Sequence, residues 1–277
     1  MTMNSINTNV QSLIALQSLN RTNAEISVTQ KRVSTGYRVA DAKDDGGAFA
    51  VAQAVRSDVA GVIAVGEQLG GVKGVLETTF AALSVVSDTM KKIRAALTRL
   101  ADGAISPDQR KTYEEQYELL AGQVSDFIDD ATYNGRSLLN TDAAMGGGDI
   151  TGLRNEGGGI FIIEAVDGDT LKITDTAPAT ATAAQAFIAS GGTFDLVDAL
   201  LSSALNRFGA SMAFVADQIT YNSKKVDAME SGLGSLVDVD LAKESSTLEA
   251  LKVRQQLGVQ TLGLANQGPQ VLLGLFR

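Results

Sequence analysis

The sequence predicts a mainly α protein: a long antiparallel coiled-coil helical rod with a small central insert that holds a β-hairpin. Two long seams and a change of pattern between them carry that prediction. From Val51, apolar residues fall at 55, 59, 62, 65, 69, 72, 76, 80, 83, 86, 90, 93, 97 and 100, fourteen steps over 49 residues. That is 3.5 residues per step, the spacing that keeps one face of a helix against a partner. A second series runs Phe194, Val197, Leu201, Leu205, Phe208, Met212, Val215, Ile219, Asn222, Val226, Met229, Leu233 and Leu236, again at 3.5 per step. Its one polar slot, Asn222, reads either as a register lock, satisfied only opposite the right partner, or as a position at a partly wet edge.

The remaining elements follow in chain order. Ile6, Val10, Leu13, Leu16 and Leu19 mark an amphipathic helix near the N-terminus. Glycines 61, 66, 70, 71 and 74 crowd one stretch of the longest helix, each costing about 1 kcal/mol of propensity relative to Ala, so packing must hold that stretch or it bends. Ser106, Pro107 and Gln109 form a capping box ahead of a third helix, whose apolar face is Tyr113, Tyr117, Leu120, Val124, Phe127 and Ala131. Asn134-Gly135 is a turn pair. Ile160 to Ile163, the turn Asp167-Gly168-Asp169, and then Leu171 and Ile173 read as one hairpin. Residues 174 to 189 read as loop or weak helix, and the threonines 174, 176, 180 and 182 offer glycan sites or simply a solvated loop.

Composition excludes several classes of function. The chain has no Cys and no His, which removes disulfides, thiolate zinc sites, the usual general base and every histidine triad. No uninterrupted apolar run approaches the roughly 20 residues that span a bilayer, and the first residues lack the basic patch and apolar stretch of a cleaved signal. Net charge is −9, but residues 1 to 40 carry four basic side chains against one acid and residues 236 to 277 carry four of each, so the middle holds −12. Ends meant for burial and a solvated waist fit that distribution. A nucleic-acid binder lacks its phosphate-neutralising face here. Gly66 and Gly71 are followed by Val72-Lys73 where a phosphate loop needs Gly-Lys-Ser/Thr. Asp44-Asp45 and Asp238/Asp240 are read as solvated or capping rather than metal-binding. We expect no enzyme, cofactor or metal.

The two ends carry a family resemblance. Ile6-Asn7-Thr8-Asn9-Val10-Gln11-Ser12-Leu13, Arg32-Val33-Ser34-Thr35-Gly36-Tyr37-Arg38-Val39 and Ala42-Lys43-Asp44-Asp45 stand at one end. Asp238-Val239-Asp240-Leu241-Ala242-Lys243-Glu244 and Ala265 through Leu275-Phe276-Arg277 stand at the other. These blocks, over residues 4 to 140 and 194 to 277, resemble bacterial flagellin, the filament subunit; Tyr133 to Leu139 resembles the turn closing the family's N-terminal helical half. Gly46-Gly47 depart from the alanines usual after the acidic pair, which implies a looser turn.

The resemblance implies three parts: an inner coiled coil of residues 1–40 and 236–277, a rod of 41–140 and 190–235, and a variable surface insert of 141–189. The inner coil would use Ile6, Val10, Leu13, Leu16 and Leu19 with Val237, Leu241, Leu248, Leu251, Ala265, Leu262 and Leu272, while Glu244, Gln255, Gly258 and Pro269 interrupt its seam. It implies a homopolymer outside the cell, used for swimming. It also implies a flagellar type III export apparatus, an export chaperone and a filament cap as partners, with no nucleic acid or membrane. The related alternative is a flagellar hook-filament junction protein. Flagellins sensed by a host receptor carry Arg and Leu where this chain has Lys92 and Ala96, which implies weak recognition. Deleting 146 to 158 is expected to leave assembly intact.

Overall fold

The computed structural model describes residues 8–174 and 176–274, with side chains to residue 267. The order is α1 (Val10–Thr35), α2 (Gly46–Leu100), α3 (Pro107–Asp129), β1 (Ile150–Leu153), β2 (Ile160–Ile163), α4 (Ala181–Ile188), α5 (Thr193–Val237) and α6 (Leu241–Gly274). Two compact units result, one of residues 1–57 with 228–277 and one of residues 58–227. Their division lies inside α2 and α5.

In the second unit the two seams become the core. Every seam position of α2 from Val62 to Leu100 is buried or half-buried, and none of the seam positions of α5 is exposed. By length and composition alone α2 is apolar enough to cross a membrane, although charged residues break its apolar run. Glu67 and Lys73 interrupt its apolar stretch, and Val65, Leu69 and Leu76 lie in the core. The helix stays continuous through its glycines, two of which are closely packed and three of which are not. At Gly74 the Tyr133 ring lies so close that an added Cβ would stand 2.7 Å from its Cζ, and at Gly61 the Cβ of Glu156 would stand 3.0 Å away. Gly66, Gly70 and Gly71 face open space.

The third helix starts as predicted: Ser106 Oγ accepts from the Gln109 amide, and Gln109 Oε1 accepts from the Ser106 amide. Its buried face ends on Ile128, whereas Phe127 is exposed, a one-residue correction of the predicted stripe. Arg110 donates to the carbonyl of Leu100 and so closes the C-terminus of α2. Asn134 and Gly135, at φ of 50° and 72°, make the predicted tight turn, with Tyr133 and Arg136 exchanging backbone hydrogen bonds.

The insert differs from expectation in two ways. Its hairpin pairs β1 with β2, Ile150 opposite Ile163 and Leu153 opposite Ile160; Asp167 instead caps a short 3-10 turn, Gly168–Leu171. Loop residues Gly157 to Gly159, which include a positive φ at Gly158, make the reversal. Nor is the segment a separate surface module. Ile150, Ile163, Leu171, Ile173 and Ala184 belong to the same core as Leu83, Ile93 and Phe208. Gln218 donates to the Arg154 carbonyl, Lys225 pairs with Glu156, and Arg207 donates to the carbonyls of Glu164 and Ala165. Helix and loop readings of 174–189 resolve into α4, capped by Thr180.

Candidate assembly surface

In the first unit, α1 and α6 pack along a seam set by spacing more than by apolarity. On α1 the least exposed positions are Ser12, Ala15, Leu19, Thr22, Ile26, Thr29 and Val33, again one step per 3.5 residues. Ile26, Thr22 and Thr29 are buried, and Thr22 satisfies its hydroxyl on the Ser18 carbonyl. On α6 the corresponding positions are Glu244, Leu248, Leu251, Gln255, Gly258, Leu262 and Ala265. Thus the polar slots of the C-terminal repeat are not interruptions. Gln255 donates to Asn23 at 2.7 Å, Glu244 lies 3.6 Å from Arg32, and Asn9 donates to the Ala265 carbonyl at 2.7 Å.

That seam corrects part of the predicted inner coil. Leu251 is 6% exposed, while Leu19, Leu248 and Leu262 are half-buried. Val10, Leu13 and Leu16 stand outside the seam, 58%, 57% and 42% exposed, and Leu241 is exposed as well. Ile6 and Leu272 lie outside the residues whose side chains are described. The apolar N-terminal stripe is therefore real but is not the stripe that meets α6, because Ala15, Thr22 and Thr29 hold the inner face. Ile14 beside it is also exposed, and on α6 Val253, Leu257 and Leu264 form a comparable outer set. Two helices that have already paired still show water a row of large apolar side chains each.

Short connections anchor this pair. Segments 36–39 and 237–239 run side by side: Val39 and Arg38 donate to the Val237 carbonyl, and Val239 donates to Gly36. Val237 is buried with Val39 and Ala52, as a small second core. Gly36 ends α1 at φ 75°, a left-handed position that suits glycine. In the following loop, Asp44 accepts from the Ala40 and Asp41 amides, while Lys31 donates to Asp41 and Asp44 at 2.9 and 2.7 Å. Asp45 caps α2 through the Ala48 amide, and Asp240 caps α6 through the amides of Ala242 and Lys243. The turn before Gly46-Gly47 is accordingly held at several points rather than loose. Hydrogen bonds from Lys31, then from backbone amides, hold both Asp41 and Asp44 below the usual carboxylate range; the same bonds, with Asp44 first, raise Lys31.

Asn222 is 4% exposed, so it does not stand at a wet edge. Its Oδ1 accepts from Gln218, the side chain that also donates to Arg154, which joins α5 to the hairpin loop. Of the receptor-related pair, Lys92 is exposed whereas Ala96 is buried in the core.

A helical protein with paired terminal helices and large apolar residues left on their outer sides fits the class of self-assembling structural proteins. The comparisons narrow the class. Residues 6–144 match the bacterial flagellin N-terminal helical region and residues 195–276 match the C-terminal helical region. The chain belongs to the bacterial flagellin family, and its function is that of a structural subunit that self-assembles into the flagellar filament used for motility. It is 32% identical to Flagellin FljK of Caulobacter vibrioides over 277 residues, covering all of both chains. It is 34% identical to a flagellin of Brucella melitensis over 291 residues, covering 99% of this chain and all of that one. A solved structure, of a putative flagellar hook-associated protein from Vibrio parahaemolyticus, shares the fold at a TM-score of 0.56 and 13% identity, covering 70% of this chain and all of that one.

Proposed function

We propose that the subunit polymerises by burying the outer faces of α1 and α6 against neighbouring copies, with the two helices of one chain forming a unit of the filament's interior. The observation that carries this reading is the exposure of Val10, Leu13, Ile14 and Leu16 on a helix whose other face is already occupied. A Leu or Ile side chain contributes about 1.5–3 kcal/mol on full burial, so each half-exposed one still holds roughly half of that in reserve for a neighbour. Polymerisation through many such weak contacts is cooperative, since the translational and rotational freedom a subunit loses is offset only when several neighbours cover these faces together. In this reading Asn222 sets the register of α5.

The finer biology follows the family. The chain acts outside the cell and without enzymatic activity. It leaves by the flagellar type III export apparatus, escorted by a chaperone, and adds beneath a filament cap. Full-length relatives that are flagellins favour the filament subunit over the hook-filament junction protein. Electron microscopy of the purified chain tests the choice: long filaments from this chain alone support the filament subunit, and short caps or persistent monomers contradict it.

A further inference from the structure

A cleft of about 590 Å3 opens in the second unit between α2, the turn at residues 133–136 and β1. Val72 and Val75 give it an apolar base, and Tyr133, 45% exposed, forms one wall. The place of a Gly74 Cβ lies 2.7, 2.9 and 3.1 Å from the Cζ, Cε1 and Cε2 of that tyrosine. Three nearly equal distances put Gly74 over the face of the ring, so Tyr133 lies flat on α2 and turns its other face outward. Hydrogen-bonding groups line the remaining sides. In an antiparallel ladder the bonded pairs alternate. Arg154 donates to Gly159, which makes Gly152 with Phe161 and Ile150 with Ile163 the bonded pairs, and turns the N–H and C=O of Thr151 onto the free edge of β1. That edge borders the cleft, because Arg136 crosses to the Asp149 carbonyl on it, at 3.3 Å. The side-chain amides of Gln68 and Asn134 are exposed there, without a hydrogen-bond partner among the described residues.

We propose that this cleft binds a neutral hexopyranose unit, with the sugar ring against the outer face of Tyr133 and its hydroxyls on Gln68, Asn134 and Thr151. A pyranose has an apolar C–H face and a rim of hydroxyls that both donate and accept. The cleft answers each part: an aromatic platform held flat, two amides that each offer donors and an acceptor, and a free backbone N–H and C=O. Its volume is that of a small-ligand site with a few convergent polar groups. An anionic sugar fits less well, since the Asp149 carboxylate lines the cleft, Arg136 is already engaged and the chain carries −9. An extended peptide adding to β1 also fits less well. Arg136 takes the Asp149 carbonyl, which leaves Thr151 as the one edge residue in the cleft with both groups free, too few for strand addition. The cleft lies within one chain, so the proposal stands or falls independently of polymerisation.

NMR chemical-shift mapping on the full-length monomer tests it. Methyl β-glucoside, methyl β-galactoside and methyl α-mannoside are titrated separately, with glycerol as the polyol control. At least one glycoside should give saturable shifts centred on residues 68–75, 133–136 and 149–152, with a dissociation constant on the order of 1–10 mM. Tyr133→Phe should retain binding, because the platform survives. Tyr133→Ala and Gln68→Ala should each weaken it by about threefold or more. Gln68 is exposed, so its variant keeps the test open if Tyr133→Ala folds poorly. Methyl β-glucuronide should bind more weakly than the glucoside. No saturable shift with any of the three glycosides would overturn the proposal, as would shifts that glycerol reproduces or binding that Gln68→Ala and Tyr133→Ala leave unchanged. Tighter binding of the glucuronide would overturn the assignment to a neutral sugar.

Discussion

Leu19 of α1 lies against the backbone of Gly258 in α6: its Cδ1 stands 3.3 Å from the place a Cβ would occupy. The glycine that seems to break the C-terminal repeat is thus the place where the leucine enters. Gly258→Val adds branched volume at a contact that is already tight, and forces the helices apart or Leu19 out of its rotamer, at about 1–3 kcal/mol. Thermal melting of the α1 and α6 helical signal should fall, whereas Gly263→Ala, at a position with open space, should leave it the same or higher. Equal melting of the two variants would contradict this packing.

Charge on the outer stripe separates assembly from folding. Leu13→Asp places a carboxylate at a position that is water-exposed in the single chain, so the monomer's helix content should be unchanged. Burying that charge in a polymer costs several kcal/mol, and filament formation should fail. Leu248→Asp, half-buried in the seam, should lower both monomer stability and assembly. Normal filaments from Leu13→Asp would show that this stripe faces solvent in the polymer as well.

The glycines of α2 should divide by neighbour. Gly70→Ala meets nothing and gains helix propensity, for about 0.5–1 kcal/mol of added stability. Gly74→Ala drives a methyl into the Tyr133 ring and should destabilise the second unit. Chemical denaturation of both variants checks the contrast, and stabilisation by Gly74→Ala would refute the Tyr133 contact.

Removal of residues 146 to 158 should now be damaging. The deletion takes away β1, the buried Ile150 and the loop that meets Lys225 and Gln218, so the second unit loses part of its core. Loss of one buried isoleucine alone costs about 2–5 kcal/mol. A deletion variant with an unchanged melting temperature would restore the view of this segment as a dispensable surface loop.

The Lys31 tie has a defined pH window. Asp44 is depressed below its ordinary 3.8, so its contribution is present above that value and is lost as pH falls through the folded value. Lys31 is raised above 10.5, so its contribution is full below that value and is lost as pH rises through the folded one. Between those limits the loop should not respond to pH. In an NMR titration, Lys31→Ala should move the Asp44 midpoint upward, and an unmoved midpoint would show that the ion pair does not form in solution.

What could be read from the sequence was what apolarity writes into it. The seams from Val62 to Leu100 and from Phe194 to Leu236 are large, regular and buried or half-buried, and both long helices follow from them. The α1 seam was missed because Ser12, Ala15, Thr22 and Thr29 repeat at the right spacing without being hydrophobic, while Val10, Leu13 and Leu16 are hydrophobic without facing the intrachain partner. A stripe meant for another copy and a stripe meant for the same chain have the same pattern. The hairpin was displaced because Ile160 to Ile163 can pair on either side, and the short Ile150–Leu153 strand, with a glycine at its centre, gives little signal. Docking of Glu156 at Gly61 depends on tertiary approach and has no local signature.

Because the chain has no cysteine, a single Leu13→Cys thiol reports directly on the outer face of α1. The account predicts rapid reaction with a soluble maleimide in the monomer and strong protection in the assembled filament. Equal labelling rates in the two states would contradict it.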